Sequence, residues 1–242
     1  MIKIKNIINL IFWKFYNFKK RYSRNKLIKN EFDKLSNKEI FTKIYKEKIW
    51  NRESQLEFDS GPGSHDIKVT KPYVKAILEF LKDKKNSAVI DLGCGDFNIG
   101  SQIYKHTKQY VAIDVVDILI QKNIKLYKSP NLTFKSLDIT KNEIPSGDII
   151  LIKEVFQHIT NDEIKVVLKK IINFNYLIVT ESEPLIKFKP NIDKPKGPDC
   201  RTDIKSGIVI DKPPFNFKFK EKKILMKVLR QDRYISTVLY IN

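Results

Sequence analysis

Five acidic residues close short apolar runs along this chain: Asp91, Asp114, Asp138, Glu154 and Glu181. Asp91 is followed by the turn Gly93-Cys94-Gly95-Asp96. Glycines there can take positive φ and let a ligand approach the backbone with no Cβ in the way. Position 98 is Asn, not the third glycine of the dinucleotide fingerprint G-x-G-x-x-G. Asp91 and Asp96 together would repel a pyrophosphate and attract a ligand carrying an ammonium and a sulfonium. Asp114 stands nineteen residues after Gly95, near the spacing of about 20 expected of a ribose-binding acid. Its carboxylate can accept from both ribose hydroxyls. His158, nearly neutral at working pH, is the first candidate for a general base, with Glu154 and Glu181 behind it. The two cysteines, Cys94 and Cys200, form no C-x-x-C pair, so neither a zinc site nor a disulfide is indicated. The acids show no metal-ligand spacing, and no metal is expected.

These residues need a scaffold, and apolar periodicity supplies one. Strands are expected at 87–92, 109–115, 132–139, 149–152 and 175–181, with helices at about 99–106, 117–127 and 161–172. Asn161 or Asp162 is the expected cap of the last of these helices. Strands alternating with helices make a parallel doubly wound sheet with its ligands beyond the strands' C-terminal ends. All five acids would stand along that edge. Two further apolar runs, 223–229 and 234–241, suit an antiparallel hairpin. A helix over 69–82 and a Gly/Pro loop at 59–64 precede the first strand. The Pro-rich stretch 183–214 is long enough to expect a functional insertion.

The run Asp-Leu-Gly-Cys-Gly at 91–95, with Asp114, Asp138 and Glu154-Val-Phe-Gln-His-Ile159, resembles motifs I to IV of class I S-adenosylmethionine (SAM) methyltransferases. The resemblance covers most of 41–241. It implies a Rossmann-like seven-stranded α/β sheet, parallel with an antiparallel C-terminal hairpin and helices on both faces, SAM as cofactor and S-adenosylhomocysteine as product. Tyr45, Trp50 and the pattern Ser60-Gly61-Pro-Gly-Ser64 resemble a lid of one bacterial branch. On this basis the cofactor is expected on Asp91, Gly93, Cys94, Gly95, Asp114, Val115, Asp138, Ile139, Lys153, Ser60, Gly61 and Ser64. Asp138 would accept the adenine amine, its own N–H serving N1. The acceptor is expected on Tyr45, Trp50, Asp199 and Arg201. Asp199-Cys-Arg-Thr-Asp203 and Pro213-Pro-Phe215 look like methyltransferases of surface-polysaccharide synthesis. They imply O-methylation of a sugar or sugar-linked group of a bacterial glycan.

The domain plan is then a basic amphipathic extension at 1–30, a helical lid at 31–86 and the methyltransferase domain at 87–242. The sequence has 242 residues, 42% hydrophobic, and a formal charge of +18. The lysines are dispersed and arginine is scarce, a solvated surface that argues against a nucleic-acid partner. The extension could lie on an anionic membrane, and no apolar run reaches transmembrane length. A cytoplasmic protein, peripheral at most to the inner membrane, is expected. Two other functions compete: an RNA or other macromolecule methyltransferase drawn by the charge, and a non-catalytic nucleoside-binding module. Asp211-Lys-Pro-Pro-Phe215 is similar to the (D/N)-P-P-(Y/F) motif of amino methyltransferases. Its inserted Lys212 and its distance from the fourth strand set it aside.

Overall fold

The computed structural model describes Phe32 and residues 34–242, of which 37–242 form one compact unit. The amphipathic extension expected at 1–30 lies outside the described residues. A seven-stranded sheet runs through the unit: β1 (Ala88–Leu92), β2 (Gln109–Asp114), β3 (Leu132–Ser136), β4 (Ile149–Lys153), β5 (Tyr176–Pro184), β6 (Glu221–Arg230) and β7 (Arg233–Ile241). Their order is β3-β2-β1-β4-β5-β7-β6. β1 to β5 are parallel, and β7 is antiparallel to both β5 and β6.

β1 and β4 are buried almost without alternation, as befits strands covered on both faces. One cover is α3 (Ile67–Leu81), preceded by α1 (Asn37–Lys46) and the single turn α2 (Pro62–His65). Val69, Tyr73, Ile77 and Leu81 of α3, four apart, form a stripe buried on one sheet face. Ile164, Val167, Leu168 and Ile171 at α5 (Asn161–Lys170) cover the other. Each such side chain contributes about 1.5–3 kcal/mol when fully buried. α4 (Asp117–Leu126) connects β2 to β3.

Three local expectations differ. The helix expected at 99–106 is two 3₁₀ turns, Gly100–Gln102 and Tyr104–His106. Ser101 Oγ and Gln102 Nε2 both donate to Asn98 O, at 3.0 and 2.9 Å, taking a carbonyl an α-helix would use. The third strand stops at Ser136, because Asp138 instead builds a turn through Thr140 N–H. Finally, α5 is capped by Thr160, one residue earlier than expected, in a reciprocal pair with Glu163.

The insertion after β5 is tightly built. Asn191, at φ 58°, donates through Nδ2 to Val209 O and Pro213 O and accepts Val209 N–H. Among the described residues no helix is long and apolar enough to cross a membrane.

Candidate active site

A cleft of about 1070 Å³, open mouth included, lies over the C-terminal edge of β1, β2 and β4. Its floor is the turn after β1. Gly93 and Gly95 sit at φ +78° and +57°. A Cβ on Gly93 would stand 2.4 Å from Val155 Cγ2, and one on Gly95 2.3 Å from Ser60 Oγ. Gly93 and Cys94 N–H donate to Ile113 O, which ties the turn to β2.

Asp114, at the end of β2, accepts Gly95 N–H on Oδ2 and Val116 N–H on Oδ1, each at 3.0 Å. Burial pushes its pKa up to about 6 against the pull of those N–H groups. Asp91 lies beneath the turn, accepting from the Tyr110 hydroxyl at 2.8 Å. Burial raises it to about 7 against that bond. Neither Asp91 nor Cys94 lines the cleft. Their expected cofactor contacts reduce to support of the turn and, for Asp91, a negative charge below it. A cation bound above would draw both carboxyls down.

At the far end the cleft is lined by Val115, Leu137, Asp138, Ile139, Thr140, Phe41 and Asn37. Asp138 Oδ1 accepts from Thr140 N–H and Oγ1, and Asp138 N–H donates to Asn142 Oδ1 at 3.0 Å. That N–H, expected to serve a ligand nitrogen, is here paired with the Asn142 side chain. Asn37 Nδ2 donates to Glu163 Oε1 at 3.0 Å, while its Oδ1 is buried without a partner. This orphaned acceptor suits an exocyclic amine. Nothing in the sequence marked it.

The 59–65 loop, expected to act as a lid, is tied to the floor through reciprocal bonds. Ser60 N–H donates to Asp96 Oδ2 and Asp96 N–H to Ser60 Oγ. Tyr45 Oη and Ser60 Oγ share a bond of 2.8 Å, and Lys153 Nζ donates to Gly63 O at 2.8 Å. Ser60, Gly61, Ser64, Tyr45 and Trp50 all line the cleft. Asp59, His65 and Asp96 bring one ligand atom each within 4.8 Å of one another. His65 Nε2 lies 2.6 Å from Asp96 Oδ2 and 3.8 Å from Asp59 Oδ1. The hydrogen bond to Asp96 raises His65 above 6.5 in spite of burial. Burial pushes Asp96 up, but the bonds from His65 and Ser60 N–H win and hold it low. The His65 contribution is complete below its ordinary value and lost as pH rises through the raised one; the Asp96 contribution is lost only as pH falls through its lowered value. Intrinsic-rate-corrected amide protection of 60–65 is expected to fall as pH rises through the His65 titration. Equal protection on both sides would refute this fastening.

Beyond β4, Glu154 adopts φ 56°, a strained conformation of the kind stored at functional sites. Burial raises its pKa, but Lys153, 3.1 Å away, outweighs that and keeps it low. His158 is buried beside Trp50, with ring centroids 5.2 Å apart. Its Nδ1 lies 3.1 Å from Gly197 O, which makes Nδ1 the protonated nitrogen and leaves Nε2 as acceptor. Burial, then the charge of Lys194, lowers it to about 4. Glu181 is placed differently from expectation. It does not line the cleft but accepts Phe156 N–H at 2.8 Å and Gln157 N–H at 3.3 Å. Burial, then the neighbouring Glu154, raises it to about 8. It orients the turn that carries His158.

Arg201 also departs from its expected contact with an acceptor. It is 1% exposed, with Nη1 on Ile192 O and Nη2 on Ile159 O. Of its neighbours, Pro198 and Cys200 reach the cleft, whereas Asp199 and Arg201 do not. Gln157 and Arg230 also line it; Gln157 lies within the Glu154–Ile159 run with no role of its own assigned there, and Arg230 carries no motif.

Residues 83–187 match a family described as methyltransferase domain. No curated protein matches the chain in sequence. Among solved structures, magnesium protoporphyrin IX methyltransferase (ChlM) of Synechocystis PCC 6803 with bound S-adenosylhomocysteine is similar at 13% identity and a TM-score of 0.56, over 86% of this chain and 100% of that one. The N-methyltransferase NodS of Bradyrhizobium japonicum, also with S-adenosylhomocysteine, is similar at 12% identity and a TM-score of 0.53, over 71% and 86% of the two chains. Human N-acetylserotonin methyltransferase with SAM is similar at 13% identity and a TM-score of 0.52, over 88% and 62%. At such identities the likeness is one of fold. Residues 83–187 thus match a methyltransferase domain, and the seven-stranded Rossmann-like sheet around them is the fold these methyltransferase structures share.

Proposed function

We propose that this chain transfers a methyl group from SAM to a hydroxyl of a sugar or sugar-linked group, as in a bacterial surface glycan. The observation that carries the SAM reading is the opening of the Gly93–Gly95 turn and the Asp114 carboxylate onto one cleft, in a sheet of order β3-β2-β1-β4-β5-β7-β6. The residues fit the cofactor in an independent respect, since Asn37 Oδ1 is a buried acceptor awaiting a donor and the adenine amine is one. Asp114 would hold the ribose hydroxyls, Asn37 and Asp138 the adenine amine, and the turn with Lys153 and the lid backbone the methionine end. When bound, SAM supplies a methyl already activated by positive sulfur, so the chain's own work is alignment and proton removal.

For proton removal the account assigns His158. With Nδ1–H donated to Gly197 O, His158 Nε2 faces Gln157 Nε2 at 3.4 Å; the acceptor hydroxyl displaces that long contact, and Nε2 receives its proton as the C–O bond forms and the methyl–sulfur bond breaks. A group titrating near 4 is neutral throughout the working range and takes the proton only late in the step. Glu154, ionised and 3.4 Å from Gln157 Nε2, supports the developing positive charge on that imidazole. Trp50 and Phe41 form an aromatic wall beside His158, a surface suited to the apolar face of a sugar ring. The lid and 199–215 patterns resembling polysaccharide-cluster enzymes add to the sugar assignment. The N-terminal extension is proposed to lie on the inner face of the membrane, where such glycans are assembled.

With a panel of nucleotide sugars and glycan fragments, mass spectrometry is expected to show addition of one methyl to a sugar. Methylation of RNA and of no sugar would overturn the assignment. His158→Ala should lower kcat about 10²–10⁴-fold. The wild-type kcat should show no limb near pH 6.5. A limb there, or an unaffected His158→Ala, would remove His158 as the base.

A further inference from the structure

The β6–β7 hairpin delivers Arg230 to the C-terminal edge of the sheet, beyond β5 and away from the ribose end at β2. Arg230 lines the cleft in company with Glu154 and Gln157. Its Nε donates to Asp66 Oδ2 at 3.4 Å, and its side chain is 14% exposed. Asp66 is itself fixed as the N-cap of α3, accepting Lys68 N–H. The guanidinium is thus held by its Nε edge, and its two terminal nitrogens have no hydrogen-bond partner among the described residues.

Lys194 Nζ is also buried without a hydrogen-bond partner, but Lys194 does not line the cleft, and the remaining nearby cations are held by the protein. Lys153 is taken by Gly63 O and Glu154, Arg201 by two carbonyls, and Arg233 by Thr202 Oγ1 and Asp232. A second polar group here lacks a partner. Gln157 is 3% exposed, and its Nε2 faces Glu154 Oε1, which fixes the amide's orientation. Its Oε1 is buried and accepts nothing. Leaving a buried acceptor unmet costs about 1–3 kcal/mol, so a donor from a ligand would be well received.

We propose that the acceptor carries an oxyanion, a carboxylate or a phosphate, seated on the terminal nitrogens of Arg230, and a hydroxyl that donates to Gln157 Oε1. The inference rests on the methyltransferase reading for what the cleft does, though not for which group Arg230 binds. A planar fork pinned along one edge pairs an oxyanion bidentately on the other. A neutral sugar would leave that fork unused. Arg230 is on this account a specificity-determining residue, and Gln157 reads the hydroxyl beside it.

The test uses the full chain, with and without S-adenosylhomocysteine, titrated with glucose, glucuronate and glucose 1-phosphate and followed by ligand-observed NMR. At least one anionic sugar is expected to bind about tenfold or more tightly than glucose. Glucuronate and glucose 1-phosphate separate a carboxylate from a phosphate. Arg230→Gln should abolish the preference, and Arg230→Lys should keep part of it, with S-adenosylhomocysteine affinity unchanged within about twofold in both. No preference over glucose, or a preference that survives Arg230→Gln, overturns the proposal. Failure of the wild type to bind S-adenosylhomocysteine would instead count against the methyltransferase reading, and the sugar titrations without it would still decide Arg230.

Discussion

Asp114→Ala is expected to bind S-adenosylhomocysteine about 10²–10⁴-fold more weakly than the wild type, the largest effect of any single change in the cleft. Each carboxylate oxygen already accepts one backbone N–H, from Gly95 and Val116. Each has a second lone pair for a ribose hydroxyl. Hydrogen bonds to a charged group contribute about 1.5–3 kcal/mol apiece, and two are lost together. The Gly95 N–H is released as well, so the floor of the cleft loosens. Asp114→Asn, which retains one acceptor but turns an NH₂ toward a backbone N–H, should fall between. Calorimetry measures all three. A loss under about fivefold for Asp114→Ala would remove the residue from the ribose contact.

The same carboxyl gives a pH dependence of fixed sign. Burial raises Asp114 to about 6 in the folded chain, so its contribution to the stability of the ligand-free protein is greatest below the ordinary value of 3.8 and is lost as pH rises through about 6. Ligand binding runs the other way, since only the ionised form accepts from both hydroxyls. Affinity for S-adenosylhomocysteine should weaken as pH falls below about 6, and Asp114→Ala should lack that dependence.

Arg201→Leu should have the second largest effect, on stability. Its guanidinium is 1% exposed and bonds two carbonyls, Ile192 O at 2.5 Å and Ile159 O at 2.8 Å. It thereby stitches the insertion to the turn after His158. Two charge-assisted bonds lost together cost about 3–6 kcal/mol, a fall in Tm of about 6–24 °C for a chain of this size. Hydrogen exchange should rise over 190–210, with S-adenosylhomocysteine affinity nearly intact. An unchanged Tm with a raised KM for the acceptor would reinstate Arg201 as a substrate contact.

Arg201 shows where reading residues from sequence stops. Within Asp199-Cys-Arg-Thr-Asp203 a cation reads as a ligand for an anion, and only the folded insertion shows it turned inward onto carbonyls. Asn37 and Arg230 were invisible, and Gln157 was no more than a member of the Glu154–Ile159 run, for the opposite reason. They are ordinary polar residues far apart in sequence, and their meaning comes from β6, α1 and the turn after β4 meeting over one cleft. The floor was legible because its cause is local. Unbroken apolar runs make buried parallel strands, glycines permit the turn at 93–95, and the crossover length sets Asp114 nineteen residues beyond Gly95. The stretch after the turn misled because its periodicity suits a helix, while Asn98, Ser101 and Gln102 spend their side chains on the backbone. The lid's Ser60 and Gly61 were legible as a pattern, but their partner Asp96 was read only as a charge, not as the group that fastens the lid.

The central claim is that this cleft holds SAM. Titration of the purified wild-type chain with S-adenosylhomocysteine, with NAD as the control ligand, tests it most directly. The account predicts micromolar binding of S-adenosylhomocysteine and none of NAD. No binding of S-adenosylhomocysteine, or tighter binding of NAD, would contradict it and leave the Rossmann-like fold without its assigned ligand.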